Sequence, residues 1–305
     1  MTFKYNIYGL RVGSRFKLGV YPQSSFKGTA DVLIKKAKIS RPEEGLERTV
    51  YKPYSVYNTD LYFLDVMGIA KYLVKGDNEV LLEKYPEANW QDVFAFLFDS
   101  IFTVILVKNN IFVFHASAVS FGKKSFMFCG TAGIGKSTLA ASLAANKGAK
   151  IIEDDKCLVQ YNKKTGKFQI KNQYPFIELW KPQLGFVKKI KGLVPKSRIR
   201  KNIQKFRIDI QEHRPKRAIN LDQIILLNMS NMEDTIQYTE IKGIQKVNVV
   251  KNYSHMHHVV PALGKNKEHF MAISKIVQGI PVHSINKSRL TKLEDFIRYI
   301  EEEVI

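Results

Sequence analysis

Two cysteines, Cys129 and Cys157, are all that 305 residues contain. That excludes a disulfide framework and a cysteine-rich zinc site. Both lie in apolar, strand-like stretches, which suits buried free thiols in a reducing cytosol. No run of 18 or more apolar residues occurs, so no membrane span is expected. The start, Met1-Thr2-Phe3-Lys4-Tyr5, lacks an apolar signal core, and a cytoplasmic location is the expectation. Acids are scarce: 28 against 48 Lys and Arg, a formal net charge of +20. Between Lys181 and Arg217, thirteen Lys and Arg stand against Asp209 and Glu212, an excess of +11. Such a segment can meet nucleic acid, a membrane surface, an acidic peptide or a nucleotide, or be a solvated basic face.

What is present is organised around Gly130-Thr131-Ala132-Gly133-Ile134-Gly135-Lys136-Ser137-Thr138. The stretch fits G-x-x-x-x-G-K-[ST], the phosphate-binding loop. Ser125 to Cys129 ahead of it is short, apolar and strand-like. Thr138 to Ala145 behind it has helix propensity, and Gly148 is placed to end that helix. Glycines in the loop let successive amides turn inward, and the helix N-terminus adds partial positive charge. Lys136, expected to be exposed in the loop, should reach the β- and γ-phosphates of ATP, and Ser137 should sit on Mg²⁺.

Residues 1–88 read as a β-rich N-terminal domain, with strands at Phe3–Tyr8, Asp31–Ile34, Thr49–Tyr51 and Leu61–Leu64 and a loop at Arg41–Gly45. Packing, substrate contact or assembly into a homo-oligomer are the roles open to it. Residues 89–305 form the second domain. Asn89 caps a helix running through Ile101, with Asp92 three residues on. Ile111 to Val119 reads as one strand, interrupted by His115, which is either a hydrogen-bonded core residue or a site residue. Gly122-Lys123 is a turn. After Gly148, Ile151-Ile152 ends in Glu153-Asp154-Asp155. Neighbouring strand side chains alternate, so one or two of these acids can face the phosphates, to hold Mg²⁺ or take a hydroxyl proton. A hairpin turns at Lys163–Lys167, Gly185, Gly192 and Pro195 make the basic segment loop-like, and Gln223–Asn228 is a buried strand. His255, His257 and His258 lack a carboxylate or cysteine at zinc-site spacing. The chain is expected to end in two helices, His269–Gln278 and Leu290–Val304.

Phe114-His115-Ala116-Ser117-Ala118-Val119, the loop Gly130–Thr138 and Glu153-Asp154-Asp155 together resemble the HPr kinase/phosphorylase superfamily. More narrowly, they look like the HPr-kinase-related proteins of peptide-modification clusters, including lasso-peptide kinases. Tyr174-Pro175 to Leu179-Trp180, Gly279-Ile280-Pro281-Val282-His283 and the β-rich leader look similar as well. The resemblance implies an α/β fold with a P-loop kinase core of the HPr kinase and phosphoenolpyruvate carboxykinase type, and transfer of phosphate from Mg²⁺-ATP to a serine hydroxyl. By motif, Asp154 resembles the base, Asp155 its metal-binding partner, and His115 the family's active-site histidine. Two departures argue against HPr itself and against the reverse reaction. Thr138 stands where HPr kinases usually carry an acid, and their glycine- and arginine-rich signature is not recognisable here.

Three readings follow: a serine kinase for a peptide or small protein, a kinase of free serine, and a nucleic-acid-binding P-loop ATPase. The last expects a metal-binding acid after a buried downstream strand, and Ile224–Leu227 ends instead in neutral Asn228. No nucleic-acid fold signature is recognisable. The basic segment is expected on the acceptor side, favouring an acidic acceptor, with Arg214, Lys216 and Arg217 nearest the γ-phosphate.

Overall fold

The computed structural model describes residues 2–19, 21–42, 48–51, 54–57, 59–190, 193, 195–230 and 236–304. Part of the loop expected at Arg41–Gly45 and Gly192 of the basic segment lie outside them. The architecture is mixed α/β. The chain forms two compact units, residues 1–111 with 199–202 and 256–269, and residues 112–198 with 203–255 and 270–305. The division differs from one at residue 88, because the helical stretch from Trp90 groups with the strands before it.

The first unit is an eight-stranded sheet. Its strands are β1 (Phe3–Ile7), β2 (Leu10–Ser14), β3 (Val32–Lys36), β4 (Arg48–Tyr51), β5 (Tyr54–Tyr57), β6 (Leu61–Val66), β7 (Ala70–Lys75) and β8 (Glu79–Lys84). They lie in the order β1-β2-β3-β8-β7-β6-β5-β4. Ala70, Tyr72 and Val74 of β7 are buried on one face, and the other face carries Lys71 and Lys75 on either side of a buried Leu73. A helical run follows as α1 (Trp90–Phe96), a π turn (Leu97–Ile101) and α2 (Phe102–Lys108). Asn89 caps it by accepting from the Asp92 amide at 2.8 Å. The Tyr72 hydroxyl donates to Val93 O at 2.7 Å and the ring of Tyr8 meets Phe102, so the helix lies on the sheet. By length and composition the 19 residues of this run could cross a bilayer, although polar residues such as Asp92 and Asp99 interrupt it in sequence. Most of it is buried, with Val93, Leu97, Ile101, Ile105 and Leu106 wholly enclosed, so packing accounts for its apolar character.

The second unit is built on a six-stranded sheet. Its order is β12 (Lys150–Asp154), β10 (Ala116–Phe121), β11 (Lys124–Gly130), β19 (Gln223–Ser230), β21 (Val282–Ser288) and β20 (Gln237–Ile241). Strand alternation divides its side chains between two cores. Phe126 and Phe128 of β11 join Leu139 and Leu143 of α3 (Lys136–Lys147) and Phe296 of α7 (Leu293–Tyr299). Met127 and Cys129 join Val250 of α5 (Gln245–Val250) and Ile273 of α6 (Asn266–Gly279) on the other face. A second sheet runs β18 (Ile219–Asn220), β14 (Lys167–Lys171), β13 (Cys157–Asn162) and β9 (Val113–Phe114). A third runs β15 (Phe176–Trp180), β17 (Lys205–Asp209) and β16 (Pro195–Arg198).

Three local expectations change. Ile111 to Val119 is not one strand: β9 ends at Phe114, β10 begins at Ala116, and the two belong to different sheets. The His115 amide leaves the ladder to donate to Tyr253 O at 2.8 Å. The basic segment holds α4 (Leu184–Lys188), β16 and β17 rather than loop alone. Between the two final helices lies β21, whose parallel pairing with β19 is central to the sheet.

Candidate active site

Strand register decides what meets at one edge of the six-stranded sheet. β10 is antiparallel to both neighbours, pairing Ala116 with Cys129 and Ser117 with Asp154. β19 runs parallel to β11 with Gly130 opposite Leu227. The ends of β11, β12 and β19 and the start of β10 therefore coincide. His115, the loop after Gly130, Asp154, Asp155 and Asn228 arrive there from four strands.

The loop is shaped by its glycines. A Cβ on Gly130 would stand 2.8 Å from Leu227 O and 2.9 Å from Ile134 Cγ2, so only glycine fits between β11 and β19. Gly133 and Gly135 take φ of 84° and 106°, conformations that side chains disfavour. Gly135 starts α3 without a side-chain cap, leaving the first-turn amides of Lys136, Ser137 and Thr138 without intrahelical acceptors. Thr131, Ala132 and Gly133 are exposed, Ile134 is packed inward, and Ser137 and Thr138 are half-buried. Gly148, with φ 69°, ends α3 through its amide to Leu143 O.

Lys136 overturns one expectation: it is buried, not exposed. Its Nζ donates to Gly130 O at 2.9 Å and Thr131 O at 3.1 Å, so the ammonium is folded into the loop it serves. Burial lowers its pKa, offset in part by Asp154, Cys129 and Asp155.

The three acids have separate environments. Glu153 is wholly buried and accepts the amides of Gln173 and Tyr174, at 2.5 and 3.1 Å. Burial nevertheless pushes its carboxyl up to about 8. Asp154 Oδ1 accepts the Ser117 hydroxyl at 2.5 Å and Oδ2 the Glu178 amide at 3.1 Å. Burial raises it to about 6, against the pull of those two bonds. Asp155, beyond the strand, has φ 69° and contacts Lys156 Nζ at 2.9 Å. It also lies 3.8 Å from His115 Nε2, too far for a hydrogen bond. Burial lowers His115 to about 4, so its imidazole is neutral at pH 7. Its ring lies edge-on to that of His255, with centroids 5.7 Å apart.

Of the remaining expected residues, Arg214 donates through Nη1 to Tyr174 O at 3.1 Å, and its charge acts on Glu153. Lys216 and Arg217 are exposed. Sequence reasoning passed over Ser117 as a site residue and the cluster of Glu178, Lys205 and Arg207. The alternation Lys205-Phe206-Arg207-Ile208-Asp209 is a strand signal that Gly185, Gly192 and Pro195 obscured.

Uncapped amides, a lysine ammonium, a serine hydroxyl and adjacent carboxylates form a donor set that fits a nucleotide triphosphate with Mg²⁺. No family model and no curated protein matches the chain. Among solved structures it is similar to the HPr(Ser) kinase/phosphatase from Coxiella burnetii, at 13% identity and a TM-score of 0.32. That alignment covers 62% of this chain and 91% of the other.

Proposed function

We propose that this protein is an ATP-dependent kinase that phosphorylates a serine hydroxyl of a peptide or small protein, through a P-loop core of the HPr kinase type. One observation carries the reading: a phosphate-type loop with an uncapped helix start meets, at one sheet edge, a buried aspartate poised near neutral pH. The amides of Gly130 to Thr138 and the Lys136 ammonium bind the phosphates. Ser137 and Asp155 would hold Mg²⁺, which when bound would neutralise charge on the phosphates. Asp154, raised to about 6, matches the demand on a general base working near pH 7. In the transfer, the bond from the γ-phosphorus to the bridging oxygen of ATP breaks and a bond to the acceptor oxygen forms. The hydroxyl proton passes to Asp154, and ADP leaves. His115, neutral, orients the acceptor rather than adding charge. The basic segment, with Arg214 and Arg217, takes the acceptor side and favours an acidic peptide.

Incubating the purified protein with γ-labelled ATP and serine-containing peptides tests this. Lys136→Ala should abolish transfer, while the loss of its two charge-assisted bonds to loop carbonyls, at about 1.5–3 kcal/mol each, is offset in part by no longer burying an ammonium. Transfer by Lys136→Ala at the native rate would remove the loop from the reaction and end the reading.

A further inference from the structure

β15 and β17 sort their residues cleanly. Ile177, Leu179 and Ile208 enter the core shared with α3, whereas Glu178, Lys205 and Arg207 lie on the other face. Glu178 and Arg207 are cross-strand partners, and Lys205 lies two positions before Arg207 on the same face. Glu178 Oε1 accepts from the Tyr174 hydroxyl at 2.9 Å and Arg207 Nε at 3.4 Å, and Oε2 accepts from Lys205 Nζ at 3.2 Å. The backbone amide of Glu178 is the one that holds Asp154. A single residue thus fixes both the two cations and the proposed base.

The charges do not balance within this cluster. One carboxylate meets two cations, and the side chains of Glu178 and Arg207 keep only 11% and 9% of their surface exposed. Lys205, with a quarter of its side chain exposed, is the less enclosed of the two cations. Arg207 satisfies Glu178 from one side, which leaves Lys205 as the surplus. Burial works against the Lys205 ammonium, yet Glu178, Asp155 and Asp154 outweigh it and hold its pKa above the ordinary value. The same two aspartates support Lys136, and Lys205 opposes it. Two ammonium groups, one from the loop and one from β17, therefore bear on one pair of carboxylates. An ammonium carries three donors, and the bond to Glu178 uses one.

We propose that Lys205, anchored by Glu178, is a second catalytic cation, contacting the phosphoryl group in transfer from the acceptor side and complementing Lys136. The proposal rests on the kinase reading above. Phosphoryl transfer spreads charge over three equatorial oxygens, and a fixed cation aimed there stabilises the transition state more than bound ATP. Lys205 should therefore affect turnover and leave nucleotide affinity alone.

The experiment compares native protein with Lys205→Met and Lys205→Arg, measuring ADP binding calorimetrically, ADP with aluminium fluoride in the same way, and peptide phosphorylation. Lys205→Met should bind ADP within twofold of native. It should lose at least tenfold in affinity when aluminium fluoride is added and roughly 100-fold in kcat, the scale for one transition-state donor. Lys205→Arg should recover part of that kcat loss. A Lys205→Met kcat within twofold of native, with ADP affinity kept, would overturn the proposal. A measurement on the native protein avoids any folding defect: a quarter of the Lys205 side chain is exposed and open to reductive methylation. ADP with aluminium fluoride should protect it where ADP alone does not, and equal methylation would overturn the proposal. Failure of the native protein to bind ADP at all would instead defeat the kinase reading.

Discussion

Asp154→Asn separates catalysis from stability, because the two should move in opposite directions. The native carboxyl rises from an ordinary 3.8 to about 6, and burial is the main cause. Holding it ionised in the fold therefore costs roughly 3 kcal/mol relative to the unfolded chain. Between those pH values the folded protein keeps a proton that the unfolded chain releases. The stability contributed by protonated Asp154 is thus complete below about pH 4 and lost as pH rises through 6. Asparagine never ionises. Its Oδ1 can still accept the Glu178 amide and its Nδ2 can donate to Ser117 Oγ, at a mismatch cost of about 1 kcal/mol. The net expectation is a gain of about 2 kcal/mol at pH 8, roughly 4–8 °C in melting temperature, and no gain at pH 4. Turnover should fall by about 10²–10⁴, the usual contribution of a general base, and the native loss of rate below pH 6 should vanish. Thermal melts at the two pH values, with kcat measured alongside, decide the matter. Equal destabilisation at both, or turnover within threefold of native, would mean that Asp154 is a structural anion and not a base.

Three further outcomes are expected. Gly130→Ala forces a methyl to 2.8 Å from Leu227 O, which is backbone and cannot turn aside; it should cost about 1–3 kcal/mol in chemical denaturation and weaken ATP binding in the same protein. Asp155→Asn should raise the Mg²⁺ concentration needed for half-maximal activity, a shift that Asp154→Asn should not show; identical magnesium titrations would refute the division of roles. Neutralising Arg214, Lys216 and Arg217 together should raise the KM for an acidic peptide more at low salt than at high, since exposed charges are screened over about 8 Å at physiological ionic strength; steady-state kinetics at two salt concentrations checks this.

The legible parts of the chain were those whose cause is local. The phosphate-type loop needs glycine at fixed offsets and a strand and helix on its flanks, and β11 and α3 stand where the sequence places them. The Asn89 cap, the Gly122 turn and the hairpin turn closed by Gly166 likewise follow from backbone needs of single residues. What escaped depends on distant partners. The split at His115 comes from competition between two sheets for one apolar run, which no window of sequence registers. β21 hides because Val282, Ile285 and Ser288 are its buried positions, a spacing of three rather than the two that marks a strand. The inward turn of Lys136 onto Gly130 and Thr131 carbonyls is a matter of side-chain geometry, and the motif specifies residue types only. Glu178, Lys205 and Arg207 gather through the pairing of β15 with β17, with Glu178 and Lys205 27 positions apart in sequence.

β12 is an outer strand of the six-stranded sheet, and outer strands offer open backbone groups to other chains. Its last two residues are acids, and each takes amides from the segment that follows: Glu153 from Gln173 and Tyr174, Asp154 from Glu178. Those side chains hold residues 173–178 beside the end of the strand. The acids at the candidate active site therefore also tether a later segment to an outer strand, and apolar replacements at 153 and 154 would release it.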